Sequence, residues 1–136
     1  MEAQVRKKIK VKRFELNRTI FRFREDGIVH IIFKKNQTID LEDFHEGIEL
    51  IRKTGKGKKF LYLYEPDENS DITPELRKYA SSDKANKYTI ADAIVVNRLS
   101  QKIIANFYLK FHKPVKPTAV FLNKKEAIKW LLAHKK

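Results

Sequence analysis

The C-terminal half of the chain alternates between apolar runs and segments with helical spacing. An apolar, β-branched run at residues 89–96 precedes a helically spaced segment at residues 100–111, and a second apolar run at 118–122 precedes a helix that Asn123 opens. Consecutive parallel strands need crossover helices of this kind, whereas antiparallel strands need only a short turn. The pattern therefore predicts an α/β fold with parallel strands in this half.

The N-terminal end is predicted to add an antiparallel hairpin to this sheet. Residues 14–24 end in alternating aromatic and basic side chains, which is typical of a half-exposed strand. Asp26 and Gly27 follow as a tight-turn signal, because glycine accepts a positive φ at little cost. Residues 28–33 then form the more buried returning strand.

The middle of the chain supplies two further helices and one more strand. Asp40 is a good N-cap for the first of these helices, and Thr73, followed by proline, opens the second. Residues 59–64 form an apolar strand between them. The predicted order is β-β-α-β-α-β-α-β-α, an α/β fold with a mixed five-stranded sheet and about four helices. We expect residues 1–136 to form a single domain, with residues 1–10 as a loose basic segment.

The charge of the chain is concentrated at its two ends. The formal net charge is +13; residues 1–13 carry +5, residues 14–97 carry −1 and residues 98–136 carry +9. A clustered basic surface can bind nucleic acid or another anionic surface, or it can serve solubility alone. The candidate anion-binding residues at the N-terminus are Arg6, Lys7, Lys8, Lys10, Lys12 and Arg13.

Several functional classes lack their sequence signatures here. The chain has no cysteine, which excludes disulfides and thiol chemistry, and its four histidines are too scattered for a metal pair. It contains no phosphate-binding glycine motif and no nucleophile–base spacing. It also shows no signal-peptide pattern and no apolar run long enough to span a membrane. We therefore expect a cytoplasmic protein that is not an enzyme and has neither a cofactor nor a metal.

An acidic loop after the central strand is the first candidate site. In open α/β sheets, ligands bind beyond the carboxyl ends of the strands. The polar residues of this loop are therefore a candidate ligand or phospho-switch site, and the alternative is an ordinary solvated loop. They are Glu65, Asp67, Ser70, Asp71 and Thr73.

The third predicted helix is the second candidate site. It is apolar around much of its circumference at residues 107–111. Such a helix is either buried on two sides or part of a contact surface. Tyr108 and Leu109 are the candidate interface residues, which would serve a homodimer or another protein partner.

Five stretches of the sequence, in this order, resemble a known fold family. Two belong to the hairpin and the second helix, and three to the C-terminal half with Pro114 and Pro117; they are residues 24–29, 77–81, 91–96, 106–111 and 126–131. Together they resemble the STAS fold of bacterial anti-sigma-factor antagonists, and more closely the uncharacterised STAS-like bacterial proteins.

The resemblance implies a regulatory binding module. In antagonist-type members of the STAS family, a serine that follows an aspartate at the start of the second helix is phosphorylated by a partner kinase. Here Asp71 follows Ser70, and no glycine comes after it, so that motif is not matched residue by residue.

The sequence thus predicts a regulatory or interaction module that binds a protein partner or a small or lipid-like ligand near residues 65–73 and the third helix. The alternative is a protein that binds nucleic acid or an anionic surface through its basic termini.

Overall fold

The protein is described here from a computed structural model. It covers residues 9–111 and 114–135, without the side chains at positions 107, 108, 110 and 111. The strands are β1 (Val11–Glu15), β2 (Thr19–Arg24), β3 (Ile28–Phe33), β4 (Thr38–Ile39), β5 (Phe60–Glu65), β6 (Asp71–Ile72), β7 (Thr89–Val95) and β8 (Thr118–Phe121). The helices are α1 (Leu41–Gly55), α2 (Pro74–Ala80), α3 (Leu99–Phe111) and α4 (Lys124–Ala133).

The main sheet is mixed and has the strand order β1-β2-β3-β5-β7-β8. Strands β1, β2 and β3 pair antiparallel, and β3, β5, β7 and β8 pair parallel to their neighbours. The predicted mixed α/β sheet with an N-terminal hairpin and parallel later strands is confirmed. A second, small sheet pairs β4 with β6 and ties the loop before α1 to the loop before α2.

The sheet has six strands where the sequence predicted five. The single strand predicted at residues 14–24 is wrong, because the chain turns where the amide of Leu16 donates to the carbonyl of Thr19 at 2.8 Å. The additional edge strand, β1, pairs Phe14 with Phe21 of β2. Most of its side chains are exposed and charged, so it carries little of the hydrophobic alternation that reveals a strand in sequence.

Local signals explain the ends of the elements around the hairpin and α1. Gly27 adopts φ +90° in the turn between β2 and β3, and Asp26 accepts hydrogen bonds there from Arg24 and from the amide of Ile28. Asp40 caps α1 as predicted, in a reciprocal pair with Asp43 that satisfies two backbone amides.

The two faces of the main sheet are covered by different helices. Helix α4 packs on one face against a core of large and small apolar residues that are at most 1% exposed: Ile28, Leu61, Leu63, Ala91, Ala93, Ala127 and Leu131. Trp130 is partly buried at the edge of this core and packs against Phe121. The other face carries Phe21, Val29, Ile31 and Tyr62, on which Ile51 of α1 packs.

Candidate ligand-binding cavity

A cavity of about 780 Å³ lies between the second face of the sheet and the helices α1, α2 and α3. The sheet supplies a floor of large side chains: Phe21, Ile31, Tyr62, Tyr64 and Ile94. The helices supply apolar walls, among them Phe44, Ile48, Leu76, Ile104 and Leu109. The volume falls within the range of about 300–1,000 Å³ that small-molecule sites occupy.

The helical wall of the cavity includes several small residues. Gly47 of α1, Ala80 of α2, Ala105 of α3 and Ala85, in the turn region after α2, all border the space. The Phe21 ring lies directly against Gly47, where a Cβ atom would be 2.7 Å from Phe21 Cζ, whereas the alanines add little bulk to the space. Ile104 lines the cavity and is nevertheless 68% exposed, so the cavity opens to solvent beside α3.

Asp92 is the polar residue at the centre of this apolar floor. It lies on β7, opposite Tyr62 of β5 and Thr118 of β8, and it borders the cavity. Its Oδ1 atom is buried, and no hydrogen-bond donor reaches it from the described residues. Burial raises the pKa of Asp92 to about 7, because removing a carboxylate from water disfavours its charged form.

The hydroxyl groups next to Asp92 are directed elsewhere. The Tyr62 hydroxyl donates to the backbone carbonyl of Tyr88 at 2.9 Å, and the Thr118 hydroxyl donates to the carbonyl of Lys116 at 2.9 Å. Burial raises the pKa values of Tyr62 and Tyr64 well above their ordinary value, so both rings stay neutral. An unpaired buried acceptor costs roughly 1–3 kcal/mol, which is why native proteins rarely keep one.

Two residues of the predicted loop site face away from this cavity. Glu65 contacts His30 Nε2 at 2.7 Å and Lys124 Nζ at 3.2 Å. Burial lowers the pKa of His30 in spite of its glutamate partner. Burial by itself would raise the pKa of Glu65, but the hydrogen bonds from His30 and Lys124 outweigh it and hold that pKa below its usual value. Asp67 accepts backbone hydrogen bonds from Asn36 at 3.1 Å and Asn69 at 3.2 Å.

The other predicted loop residues mostly hold local structure. The Ser70 hydroxyl accepts a hydrogen bond from the amide of Asp67 at 3.1 Å. Thr73 caps α2 by accepting one from the amide of Leu76 at 3.2 Å. Asp71 pairs with Arg77 at 3.4 Å. The structure brings Ser70 and Asp71 to the cavity wall, whereas Glu65, Asp67 and Thr73 do not border it.

The predicted interface on α3 is seen only in part. Leu109 is partly buried and lines the cavity, and the side chain of Tyr108 lies outside the described residues. Among the described side chains of this helix, the large exposed apolar ones are Leu99, Ile103 and Ile104, at 61%, 60% and 68%. None of these three was among the predicted interface residues, although the four-residue spacing of Leu99 and Ile103 marks one helix face.

The predicted anion-binding residues lie before and on β1. Lys10, Lys12 and Arg13 are exposed, and Arg13 pairs with Glu15 at 3.5 Å. Lys12 lies 5.5 Å from the ring centre of Phe14. The remaining candidates, Arg6, Lys7 and Lys8, lie outside the described residues.

The family of the chain follows from its sequence. The family model described as Domain of unknown function (DUF7793) matches residues 21–135. The chain belongs to this family. The matched region begins in β2 and ends beyond α4, so it includes the residues that line the cavity except Thr19. No curated protein matches the sequence.

A solved structure shows which fold this is. The chain is similar to an uncharacterised protein of the DUF3478 family with a SpoIIAA-like fold from Shewanella loihica PV-4. The two share 14% identity and a TM-score of 0.51, over 90% of this chain and 93% of that one. The STAS-like fold predicted from the sequence resemblance is thus confirmed.

None of the helices within residues 9–111 and 114–135 is both long enough and apolar enough to cross a bilayer. In the same part of the chain, no three potential ligands among histidine, aspartate and glutamate converge on a point that could hold a metal ion.

Proposed function

We propose that the protein is a binding module that takes up a small, largely apolar ligand in the cavity beneath α1, α2 and α3. The observation that carries this proposal is the cavity itself, about 780 Å³ with predominantly apolar walls and an opening beside α3. A well-packed domain of this size leaves few voids larger than a water molecule. An apolar space of this volume is therefore best understood as a ligand site.

The polar groups around the cavity support binding rather than chemistry. Asp43 is engaged by Arg18 at 3.0 Å and accepts a hydrogen bond from the amide of Asp40, the N-cap of α1, and Asp71 is paired with Arg77. Neither Asp92 nor any other described residue of the wall is placed as a nucleophile next to a general base, the arrangement that covalent catalysis needs. We propose a non-enzymatic role on this ground.

The biological role of ligand binding stays a prediction from the sequence. A regulatory role in the cytoplasm, a protein partner and a homodimer are each compatible with an opening flanked by the exposed apolar residues of α3. Binding of nucleic acid or an anionic surface by the basic termini also stays a prediction. It would weaken steeply as salt rises, whereas uptake of an apolar ligand would not.

Titration with a neutral, environment-sensitive dye such as Nile red tests the proposal. We expect a saturable rise in fluorescence with the wild-type protein that salt does not abolish. Ala105→Phe should weaken dye binding about tenfold or more, because the ring enters the cavity from α3. Ala133→Phe is the matched control, since Ala133 is exposed on α4 and lies on the other side of the sheet.

Two results of the Nile red titration would contradict the proposal. If the wild type shows no saturable binding, or if both alanine variants bind the dye as the wild type does, the cavity is not a ligand site.

A further inference from the structure

We infer that the ligand carries a cationic, hydrogen-bond-donating head group, as a primary amine does, and that Asp92 receives it while the apolar body fills the cavity. This inference rests on the proposed function and names the chemical class of its ligand. Its basis is the position of Asp92, whose buried Oδ1 atom has no partner among the described residues, on the floor of a largely apolar space.

Asp92 differs from the other acidic residues of the cavity wall. Asp43 is held by Arg18 at 3.0 Å, and Asp71 by Arg77 at 3.4 Å. Within the described residues, the buried Oδ1 atom of Asp92 has no hydrogen-bond partner. A cation that enters the cavity would therefore meet one carboxylate whose charge is not already compensated.

The fold does not supply a donor from the neighbouring strands. Asp92 is flanked across the sheet by Tyr62 and Thr118, whose hydroxyl hydrogens are given to backbone carbonyl groups. Either hydroxyl could donate to Asp92 only by giving up its existing hydrogen bond. With both hydroxyls engaged, a molecule in the cavity that Asp92 borders can supply the donor that its carboxyl group lacks.

The surroundings of Asp92 suit a cation in a second way. The rings of Tyr62 and Tyr64 lie side by side on the floor, with centres 6.1 Å apart, and both border the cavity. Aromatic faces attract a positive charge through their quadrupole, most strongly where water is excluded. A carboxylate beside two aromatic rings therefore favours an ammonium group over a neutral hydroxyl.

Ligands with other head groups should bind Asp92 more weakly than an amine does. An alcohol offers one neutral hydrogen bond, whereas a protonated amine offers three donors and a charge. A carboxylate ligand offers no donor and repels an ionised Asp92. We therefore expect the order amine, alcohol, carboxylate among ligands that share one apolar chain.

Competition against bound Nile red tests this order with octylamine, octanol and octanoate at about pH 8, where Asp92 is ionised and the amine is protonated. In the wild type, octylamine should displace the dye about tenfold more effectively than octanol, as a charge-assisted hydrogen bond adds to a neutral one. Asp92→Asn should reduce that ratio to about threefold or less while octanol binds as before. Glu126→Gln, which neutralises an exposed acid of α4 on the other side of the sheet, should keep the wild-type ratio.

A second measurement does not depend on a variant. Lowering the pH to about 5 protonates Asp92, whose pKa is about 7, but leaves octylamine charged. Tyr62 and Tyr64 stay neutral throughout this range. The preference for the amine should therefore fall in the wild type, and it should not change in Asp92→Asn.

The results separate this inference from the proposed function. If the dye binds and is displaced by all three compounds alike, or by octanoate most effectively, the inference is wrong and the cavity is still a ligand site. The same conclusion follows if Asp92→Asn keeps the wild-type preference for the amine. If the dye does not bind to the wild type, both proposals fail.

Discussion

The two faces of the central sheet are built from the same strands but are packed to very different degrees. On one face, Leu63 and Ala93 meet Leu131 of α4 in a core that excludes solvent almost completely. On the other, the alternate residues Tyr62 and Asp92 of the same strands face a cavity of about 780 Å³. One face therefore holds the fold together, and the other can keep space for a ligand.

Side-chain size accounts for much of this difference. On the α4 face, Ala91 and Ala93 of β7 pack in the same cluster as Ala127 of α4. These small side chains allow the helix to approach the sheet closely. The other face presents the aromatic rings of Phe21 and Tyr62. Large side chains on the sheet hold the covering helices away, and small residues in those helices do not fill the gap.

The largest expected effect comes from truncating one leucine on each side. Leu131→Ala removes a fully buried side chain of α4 and should destabilise the protein by about 4 kcal/mol. Leu109→Ala makes the same chemical change in α3, at a partly buried position beside existing empty space, and should destabilise it by about 1 kcal/mol. Urea unfolding of both variants measures the contrast. Equal losses would show that the two faces are equally well packed.

The pH dependence of stability should reveal the unpartnered carboxylate on the cavity face. The pKa of Asp92 is about 7 when folded and near 3.8 when unfolded, so between these values the folded protein binds the extra proton. The contribution of Asp92 to the free energy of unfolding is therefore complete below about pH 4, and it is lost as the pH rises to about 7. Its upper limit is about 4 kcal/mol.

Asp92→Asn isolates this contribution. The variant and the wild type should be about equally stable at low pH, and the variant should become the more stable of the two as the pH rises from about 4 to 7. Urea unfolding at several pH values measures the difference. A constant difference across this range would mean that Asp92 has a solvent-like pKa and is not buried.

Much of the fold could be predicted because its signals are local and periodic. The parallel half follows from apolar runs that alternate with helices, and the cap of α1 follows from Asp40. Strand β1 was not predicted as a separate strand. It is a charged edge strand in which only Phe14 is half-buried, so its sequence shows little hydrophobic pattern. Its existence depends on pairing with β2, which is a tertiary contact.

Much less of the candidate site than of the fold could be predicted from the sequence. Polar residues such as Asp67 and Thr73 marked the loop after β5, but the backbone itself uses them as caps and turns. A cavity is an absence of packing between distant elements, and no local pattern encodes it. The available signal was Asp92, a charged residue in an apolar strand, at a position that points to the face opposite the Ala91 and Ala93 core.

The smallest expected effect comes from adding bulk, which the two faces should tolerate differently. A Cβ atom at Gly47 of α1 would lie 2.7 Å from Cζ of Phe21, so the ring must move. Because Phe21 borders the cavity, it has empty space to enter, and the gain of about 1 kcal/mol in helix propensity offsets the strain. Gly47→Ala should therefore change stability by less than about 1 kcal/mol and weaken dye binding.

The matched change on the packed face is Ala93→Val. Ala93 is fully buried against α4, so added methyl groups have no space to enter, and the variant should lose about 2 kcal/mol while it binds the dye normally. Urea unfolding and Nile red titration of both variants measure the contrast. A loss above about 2 kcal/mol in Gly47→Ala would mean that Phe21 cannot move, and that this end of the cavity is as tightly packed as the core beneath α4.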